Sequence, residues 1–266
     1  MMKARFCQWL AIATVFISAQ VGAEAPRLVK HGSATQLSVQ GKPMLLIAGE
    51  LGNSSASSAA YMAPHWAKLK AMHLNTVLAP VSWELIEPQE GRYDWSSVDA
   101  LLRDARANDL KLVVLWFGAW KNSMSTYVPA WVKRDQDRFP RAELPNGQGV
   151  EILSAFAPET LKADQRAFVA LMAHLKKIDG AQRTVLMVQV ENEVGTYGLV
   201  RDFGAKAQAA FERPVPAAVL ARQPSPVRRA ATGSWREVYG DYADEYFHAW
   251  AIASYIEQIA QAGRAV

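Results

Sequence analysis

The chain has 266 residues, of which 50% are hydrophobic and 20% charged, a balance typical of a folded globular protein. Its formal net charge of +4 is too small to indicate nucleic-acid binding, and its single cysteine excludes an internal disulfide. The length is sufficient for one large domain.

The amino-terminal residues have the pattern of a secretory signal peptide. Lys3 and Arg5 precede an apolar run over residues 7–19, and small side chains lead to a cleavage site near Ala23 or Ala25. We therefore predict that residues 1–23 are removed and that the mature protein is periplasmic or secreted. The run is too short to span a membrane, and no other segment of the sequence is long and apolar enough.

The rest of the chain predicts apolar strands that alternate with amphipathic helices. From the start, these are a hairpin turning at Gln40–Gly41 and continuing as a strand to Ile47, a helix over 58–73 with Pro64 in its first turn, a strand over 74–83, a helix over 96–110, a strand over 111–120, an irregular stretch over 121–158, a helix over 159–178 and a strand over 183–193. Residues 201–266 predict helices and no strand.

This order of elements is typical of the α/β class. Strands that are apolar throughout are buried on both faces, as in a parallel sheet covered by helices. Both a (β/α) barrel and a doubly wound sheet satisfy the pattern. A complete barrel needs eight strands, whereas this sequence predicts four core strands and a leading hairpin.

Polar and aromatic residues follow the predicted strands, where α/β proteins place their functional groups. They are Glu50 and Asn53, then Trp83, Glu84 and Glu87, then Trp120 and Asn122, and finally Glu191, Asn192 and Glu193. Carboxylates transfer protons, amides bind hydroxyl groups, and indole rings stack on sugar rings. The sequence lacks a nucleotide-binding glycine motif, a nucleophile elbow and a metalloprotease motif. Carbohydrate chemistry is therefore the favoured interpretation.

Structural roles compete with functional ones at most of these positions. Glu50, Glu84 and Glu87 each fit a turn or a surface contact equally well. Trp116 and Trp131 fit the core better than a sugar platform. The Glu-Asn-Glu sequence is different, because a buried carboxylate directly after a core strand is costly unless it is paired.

Three segments resemble glycoside hydrolase family 35, the β-galactosidases. VQVENEVGTYG at residues 188–198 resembles the family's strand-4 signature, NTVLAPVSWELIEPQEGRYDW at 75–95 resembles its strand-2 segment, and VPAWV at 128–132 resembles its P-A-W-L segment. The matches follow one another in the family's order between Gly41 and Gly198. The Asn-Glu pair alone is common to many retaining barrel glycosidases, whereas the longer string is more specific.

The resemblance implies an α/β fold, a (β/α)8 TIM-barrel glycoside hydrolase, truncated here after about four β/α units and covering residues 24–266. Glu193 would be the general acid/base and Asn192 would bind the sugar 2-hydroxyl. Glu191 is expected to turn away from Glu193, because neighbouring strand residues alternate between faces. The other predicted substrate-binding residues are Glu50, Asn53, Trp83, Trp120 and Asn122.

The implied activity is the retaining cleavage of terminal β-galactosyl residues from oligo- or polysaccharides, with no metal or organic cofactor and no nucleic-acid or membrane partner. A second Glu, the nucleophile, would lie about 5 Å from the acid/base on strand seven of the barrel. Strands five to eight are not part of this sequence, so the 266 residues alone are expected to be inactive.

Two departures from the family bear on the substrate. GELGNSSASS stands where the family has His-Tyr-x-Arg, and FGAWKNS stands where it has a C-A-E-W-like segment. A galactosyl side chain of a plant cell-wall polysaccharide, such as xyloglucan, fits a divergent exported member. The alternatives are a non-catalytic carbohydrate-binding protein, a related enzyme of the family 42 or 5 type with another β-glycoside specificity, and an unrelated exported α/β protein.

Overall fold

The computed structural model describes residues 24–222 and 227–266. The predicted signal peptide, residues 1–23, lies outside these ranges. Among the residues described, no helix has the length and hydropathy that crossing a membrane requires.

Across these two ranges the chain forms nine strands and ten α-helices. The strands are β1 Arg27–His31, β2 Ala34–Val39, β3 Lys42–Pro43, β4 Ala48–Glu50, β5 Thr76–Ser82, β6 Lys111–Lys121, β7 Arg141–Glu143, β8 Gly149–Leu153 and β9 Val185–Asn192. The helices are α1 Ala59–Met62, α2 Trp66–Ala71, α3 Trp83–Ile86, α4 Ser96–Ala107, α5 Ala130–Arg134, α6 Pro158–Asp179, α7 Ala205–Phe211, α8 Ala217–Arg222, α9 Trp235–Tyr239 and α10 Ala243–Arg264.

A four-stranded parallel sheet in the order β4-β5-β6-β9 forms the centre of the molecule. Strands β5 and β6 are buried along almost their whole length, which explains their unbroken apolar sequences. Spatial order follows chain order, without the reversal that marks a doubly wound sheet. The predicted α/β class and parallel core are therefore confirmed, and the arrangement is that of successive β/α units in a barrel. Eight strands in a closed barrel stay a prediction.

The leading hairpin forms where the sequence predicts it. Gln40 and Gly41 both have positive φ, 52° and 76°, as a tight two-residue hairpin turn requires. The predicted continuation of this strand to Ile47 is wrong, because β3 ends at Pro43 and the core strand begins only at Ala48. Between them, the backbone N–H of Ile47 donates to the side-chain oxygen of Asn75 instead of to a strand.

The helical prediction over 58–73 is wrong in one respect. The chain forms two short helices, α1 and α2, with Pro64 between them and not in a first turn. Proline lacks the N–H that would continue α1, and its ring clashes with the preceding turn. The predicted irregular stretch over 121–158 also contains helix α5 and the hairpin β7–β8.

Helices α4, α6 and α10 cover the sheet, and the predicted helical character of the carboxyl-terminal part is confirmed. That part has a second apolar cluster, centred on Phe211, Trp235 and Phe247. The guanidinium of Arg201 lies 4.0 Å from the ring centres of both Phe203 and Phe211, so this segment packs on the loop after β9.

Candidate active site

Glu193 follows the last residue of β9 and contacts the end of the neighbouring strand. Its carboxylate Oε2 accepts a hydrogen bond of 2.5 Å from Nζ of Lys121. The Glu193 side chain is 60% exposed, whereas that of Lys121 is only 3% exposed. The pair therefore joins a carboxylate that solvent and ligands can reach to a cation fixed in the protein.

Asn192 lies between this pair and the core. Its side chain is buried, and its Oδ1 has no hydrogen-bond partner among the described residues. A buried acceptor without a partner is costly, so such atoms commonly mark the place of a water or a ligand.

Glu191 lies in the core below Asn192. Its Oε1 and Oε2 accept backbone N–H bonds from Ala119 and Trp120, at 3.1 and 2.8 Å. Burial and the neighbouring Asp164 carboxylate raise the pKa of Glu191 well above its usual range. The prediction that it turns away from Glu193 is confirmed, but alternation is not the reason, because residues two apart share a face of a regular strand.

Left-handed backbone conformations explain the separation of the two acids. Glu191 has a φ of +63° and Glu193 of +48°, while Asn122 and Ser123 in the facing loop both have +54°. Each such conformation costs on the order of 1 kcal/mol outside glycine and persists only where surrounding contacts fix it. Strain is thus concentrated where the ends of β6 and β9 meet.

The acids after β5 have structural partners. The carboxylate of Glu87 is buried and accepts from Nε1 of Trp83 at 2.6 Å and from the N–H of Gly91 at 2.7 Å. Burial outweighs these bonds and raises the pKa of Glu87 above its usual range. Glu84 pairs with Lys133 at 3.1 Å. Both acids shape the loop after β5.

The two tryptophans predicted to bind sugar are packing residues. Trp83 and Trp120 are both 0% exposed, and Nε1 of Trp120 donates to the carbonyl of Leu153. Neither ring presents a face to a ligand, so their interpretation as substrate-binding residues is corrected. An indole after a strand gives the same sequence pattern whether it faces the core or the cleft.

The residues predicted from the first core strand lie across the sheet from Glu193. Glu50 and Asn53 are exposed, and β4 is separated from β9 by three strand spacings, about 14 Å. Ser54, next to Asn53, shares a hydrogen bond of 2.9 Å with the hydroxyl of Tyr127 in the loop after β6. Asn122 is half-buried, beside Lys121. Substrate binding by these three residues stays a prediction.

Two residues of this region were missed at the sequence level, Lys121 and Asp164. Lys121 is the first charged residue after an unbroken apolar strand, which is a detectable signal. Asp164 interrupts the buried stripe of α6 between Thr160 and Phe168, and an acid in such a stripe usually has a buried partner. Neither pattern identifies that partner. In the described ranges, no cluster of three or more His, Cys, Asp or Glu residues could hold a metal ion.

Comparison with known families identifies one match that covers most of the chain. The sequence model of the glycosyl hydrolases family 35 matches residues 36–258. A β-galactosidase of Xanthomonas manihotis is 29% identical over 171 residues, which are 61% of this chain and 26% of that protein. The β-galactosidase BgaA of a Thermus species is 28% identical over 137 residues, 49% of this chain and 19% of that protein. The chain thus matches about a quarter or less of the length of these relatives.

A solved structure shares the fold. The crystal structure of a β-galactosidase from Bacillus circulans sp. alkalophilus superposes with a TM-score of 0.59 at 12% sequence identity. The superposition covers 83% of this chain and 35% of that chain. At this identity the likeness is one of fold.

Proposed function

The chain belongs to glycosyl hydrolases family 35, and from this membership we propose that it carries the acid/base side of a retaining β-galactosidase site. The contact between Lys121 and Glu193 is the observation that carries the proposal. It places an exposed carboxylate next to a buried cation at the carboxyl end of a parallel strand, where enzymes with this architecture bind substrates. The two relatives named as β-galactosidases support the same reaction.

Glu193 acts twice in the proposed reaction. In the first step its carboxylic acid gives a proton to the glycosidic oxygen as the bond to the anomeric carbon breaks and a second carboxylate forms an ester there. In the second step the Glu193 carboxylate takes a proton from water, and the resulting hydroxide displaces the ester carboxylate. Asn192, the residue before Glu193, binds the sugar 2-hydroxyl through its side-chain amide in this proposal.

Lys121 stabilises the carboxylate that forms when Glu193 gives up its proton. A fixed ammonium next to a carboxylate favours the charged form through a charge-assisted hydrogen bond. The cation is therefore in place for the developing charge of the first step. When Glu193 carries the proton for the next turnover it is neutral, so the ion pair with Lys121 is then absent.

We place the second carboxylate on a strand beyond β9. The other acids of the described strand ends are engaged or distant: Glu191 and Glu87 are buried, Glu84 is paired, and Glu50 lies at the far edge. On its outer side β9 has no neighbouring strand among the described residues. A groove of about 870 Å³ runs along this edge, lined by apolar residues such as Val188, Val190 and Met172. This surface suits further strands and helices of a barrel.

The proposed substrate is a terminal β-galactoside, and a galactosyl side chain of a plant cell-wall polysaccharide is the candidate natural form. Export to the periplasm or the medium would give access to such polymers, and it remains a proposal that rests on the sequence of residues 1–23. Competition between xyloglucan oligosaccharides with and without galactose would measure this preference.

Hydrolysis of nitrophenyl β-galactoside by the protein as its natural source expresses it tests the proposal. Glu193→Gln should lower kcat/KM by about 10²–10⁴-fold, because general acid–base catalysis contributes that much. The loss in the first step should be smaller with a dinitrophenyl leaving group, which needs less protonation.

Glu257→Gln is the matched control, since Glu257 is an exposed acid of α10 whose side chain contacts Gln261. It should leave the rate unchanged. Full activity in the Glu193→Gln protein would refute the assignment. Galactoside binding without any turnover in the unmodified protein would favour a carbohydrate-binding function instead.

A further inference from the structure

Strand β6 has a large bulge opposite Glu191 of β9. Trp116 pairs with Val190 and Lys121 pairs with Asn192, so four residues of β6, 117–120, lie opposite a single residue of β9. Bulges interrupt the ladder and redirect the side chains that follow them. This one brings Lys121 level with Asn192, next to Glu193.

The Glu191 carboxyl group fills the bulge. It accepts the N–H bonds of Ala119 and Trp120, which the interrupted ladder would otherwise leave without strand partners. Gly118 provides the space, because a Cβ at this position would lie 2.4 Å from Oε1 of Glu191. A side chain from β9 thus replaces part of the ladder between β9 and β6.

Asp164 anchors Glu191 from the far side. Its Oδ1 accepts from Nε1 of Trp116 at 3.0 Å, and its Oδ2 accepts from the hydroxyl of Tyr255 at 3.0 Å. The backbone N–H of Ala119 donates to both acids, to Oε1 of Glu191 at 3.1 Å and to Oδ2 of Asp164 at 3.2 Å. Burial raises the pKa of Asp164 as well as that of Glu191. Helices α6 and α10 therefore both hold the bulge through one buried cluster.

Asn192 and Glu193 follow directly after the buried cluster, so the backbone of Glu191 sets their orientation. Glu191 adopts a left-handed conformation, in which its own side chain is buried in the core while that of Glu193, two residues later, is exposed. The loop after the bulge then fixes Glu193 a second time, because the backbone N–H of Ser123 donates to the Glu193 carbonyl at 2.8 Å. Only two residues of backbone therefore separate the buried Glu191 carboxyl group from the Glu193 carbonyl that Ser123 holds.

We propose that Glu191 is a positioning residue, whose carboxyl group sets the β6 bulge and thereby holds Lys121 and Glu193 in contact. The role rests on the proposed function in one respect, that Glu193 is the acid/base. The inner acid of the Glu-Asn-Glu sequence thus has a separate task from the outer acid. It touches neither the substrate nor the reacting atoms.

Glu191→Met, Glu191→Gln and a control test the proposal in the protein as its natural source expresses it. Methionine fills the volume but accepts no hydrogen bond, so the bulge should relax and the 2.5 Å contact between Lys121 and Glu193 should be lost in a crystal structure. Affinity for the iminosugar deoxygalactonojirimycin should fall by about tenfold to a hundredfold, as expected for a displaced site. Glutamine can donate to Asp164 and accept from the backbone N–H of Trp120, so it should retain both the Lys121–Glu193 contact and most of the affinity.

Asp179→Leu is the matched control. Asp179 is another buried acid of α6 that accepts backbone N–H bonds, from Thr184 and Val185 at the opposite end of β9. Its replacement should lower stability while leaving the Lys121–Glu193 contact and the iminosugar affinity unchanged. Equal loss of affinity in Glu191→Met and Asp179→Leu would show a merely structural role and overturn the proposal.

Two further outcomes keep the test decisive. If Glu191→Met does not fold, the Glu191→Gln crystal structure decides, and a glutamine that leaves the bulge while the Lys121–Glu193 contact persists overturns the proposal. If the unmodified protein neither binds the iminosugar nor hydrolyses a galactoside, the proposed function fails. The crystallographic comparison of the contact still supports or refutes the positioning role.

Discussion

The two ends of β9 are each held by a buried acid of the same helix, but by opposite electrostatics. At the amino end, Asp179 accepts from Thr184 and Val185 and forms a 2.6 Å ion pair with Arg106. At the carboxyl end, Asp164 lies next to the carboxyl group of Glu191 and, among the described residues, accepts from Trp116, Ala119 and Tyr255 and from no cation. The two acids are fifteen positions apart in α6, about 22 Å along the helix, which matches the length of the strand.

The pKa shifts express this difference. Burial alone would raise the pKa of Asp179, but the bonds from Val185, Arg106 and Thr184 outweigh burial and leave it below its usual value. At the other end burial dominates and the pKa of both acids is raised. The amino end is built as an ordinary stabilising ion pair. The carboxyl end accepts an electrostatic cost, and that is the end where the proposed catalytic residues lie.

Gly118→Ala should break the carboxyl end most severely. The new methyl group would lie 2.4 Å from Oε1 of Glu191 and 2.8 Å from Oδ1 of Asp164, and both acids are fixed in the core. We expect unfolding in urea to show a loss of about 2–3 kcal/mol, the usual cost of overpacking a core. Gly149→Ala is the control, because its nearest heavy atom would be at 3.5 Å, and it should be close to neutral. Equal stability of the two variants would mean that the bulge tolerates more space than its geometry shows.

Asp179→Asn should weaken the amino end by a smaller amount. The amide keeps one acceptor for the N–H groups of the strand but leaves Arg106 without its carboxylate. Because Arg106 is partly exposed, we expect about 2 kcal/mol in urea unfolding, less than for a fully buried pair. Asp109→Asn breaks an ion pair with Lys70 at an exposed site and should show no measurable change. A comparable loss of unfolding free energy in Asp179→Asn and Asp109→Asn would show that burial does not determine how much an ion pair stabilises this fold.

The apolar runs of the sequence were sufficient to predict the sheet and the covering helices. Burial on both faces leaves a continuous apolar signature in β5 and β6, and β9 ends at Asn192, one residue before the predicted end of that strand. Glu193 and Asn192 could be proposed because three segments resemble one family. Pro64 shows the limit of pattern reading, since proline fits both a first helical turn and a break, and the neighbouring chain decides between them.

The carboxyl-end cluster could not be predicted, because it depends on register. Spacing along β6 does not reveal that four of its residues lie opposite Glu191. Asp164 is 27 positions before Glu191 in the chain, and only the packing of α6 on the sheet brings them together. The prediction that Trp83 and Trp120 bind substrate was wrong for a related reason, since neighbouring loops bury both rings. The sequence located polar and aromatic residues at the strand ends, and three-dimensional packing separated the buried ones from the exposed ones.

The smallest expected effect is on the pH dependence of the unfolding free energy, to which the two ends of β9 should contribute with opposite signs. The pKa of Glu191 is raised in the folded protein, so above its usual value of 4.5 the unfolded chain releases a proton that the folded chain keeps. Stability is then lost as the pH rises, by at most about 1.4 kcal/mol per pH unit and proton. Asp179 has a lowered pKa, so its contribution is present above its usual value of 3.8 and is lost as the pH falls.

Urea unfolding of the unmodified chain, Glu191→Gln and Asp179→Asn at a series of pH values separates these contributions from those of all other acids. Glu191→Gln removes a group that titrates beside Asp164 and Tyr255, so its stability relative to the unmodified chain should improve as the pH rises above 4.5. Asp179→Asn should converge on the unmodified chain as the pH falls below 3.8. Parallel curves for Glu191→Gln and the unmodified chain would show that Glu191 ionises in the fold as it does in water. The carboxyl end would then carry no electrostatic cost, and the contrast between the two ends of β9 would be one of geometry alone.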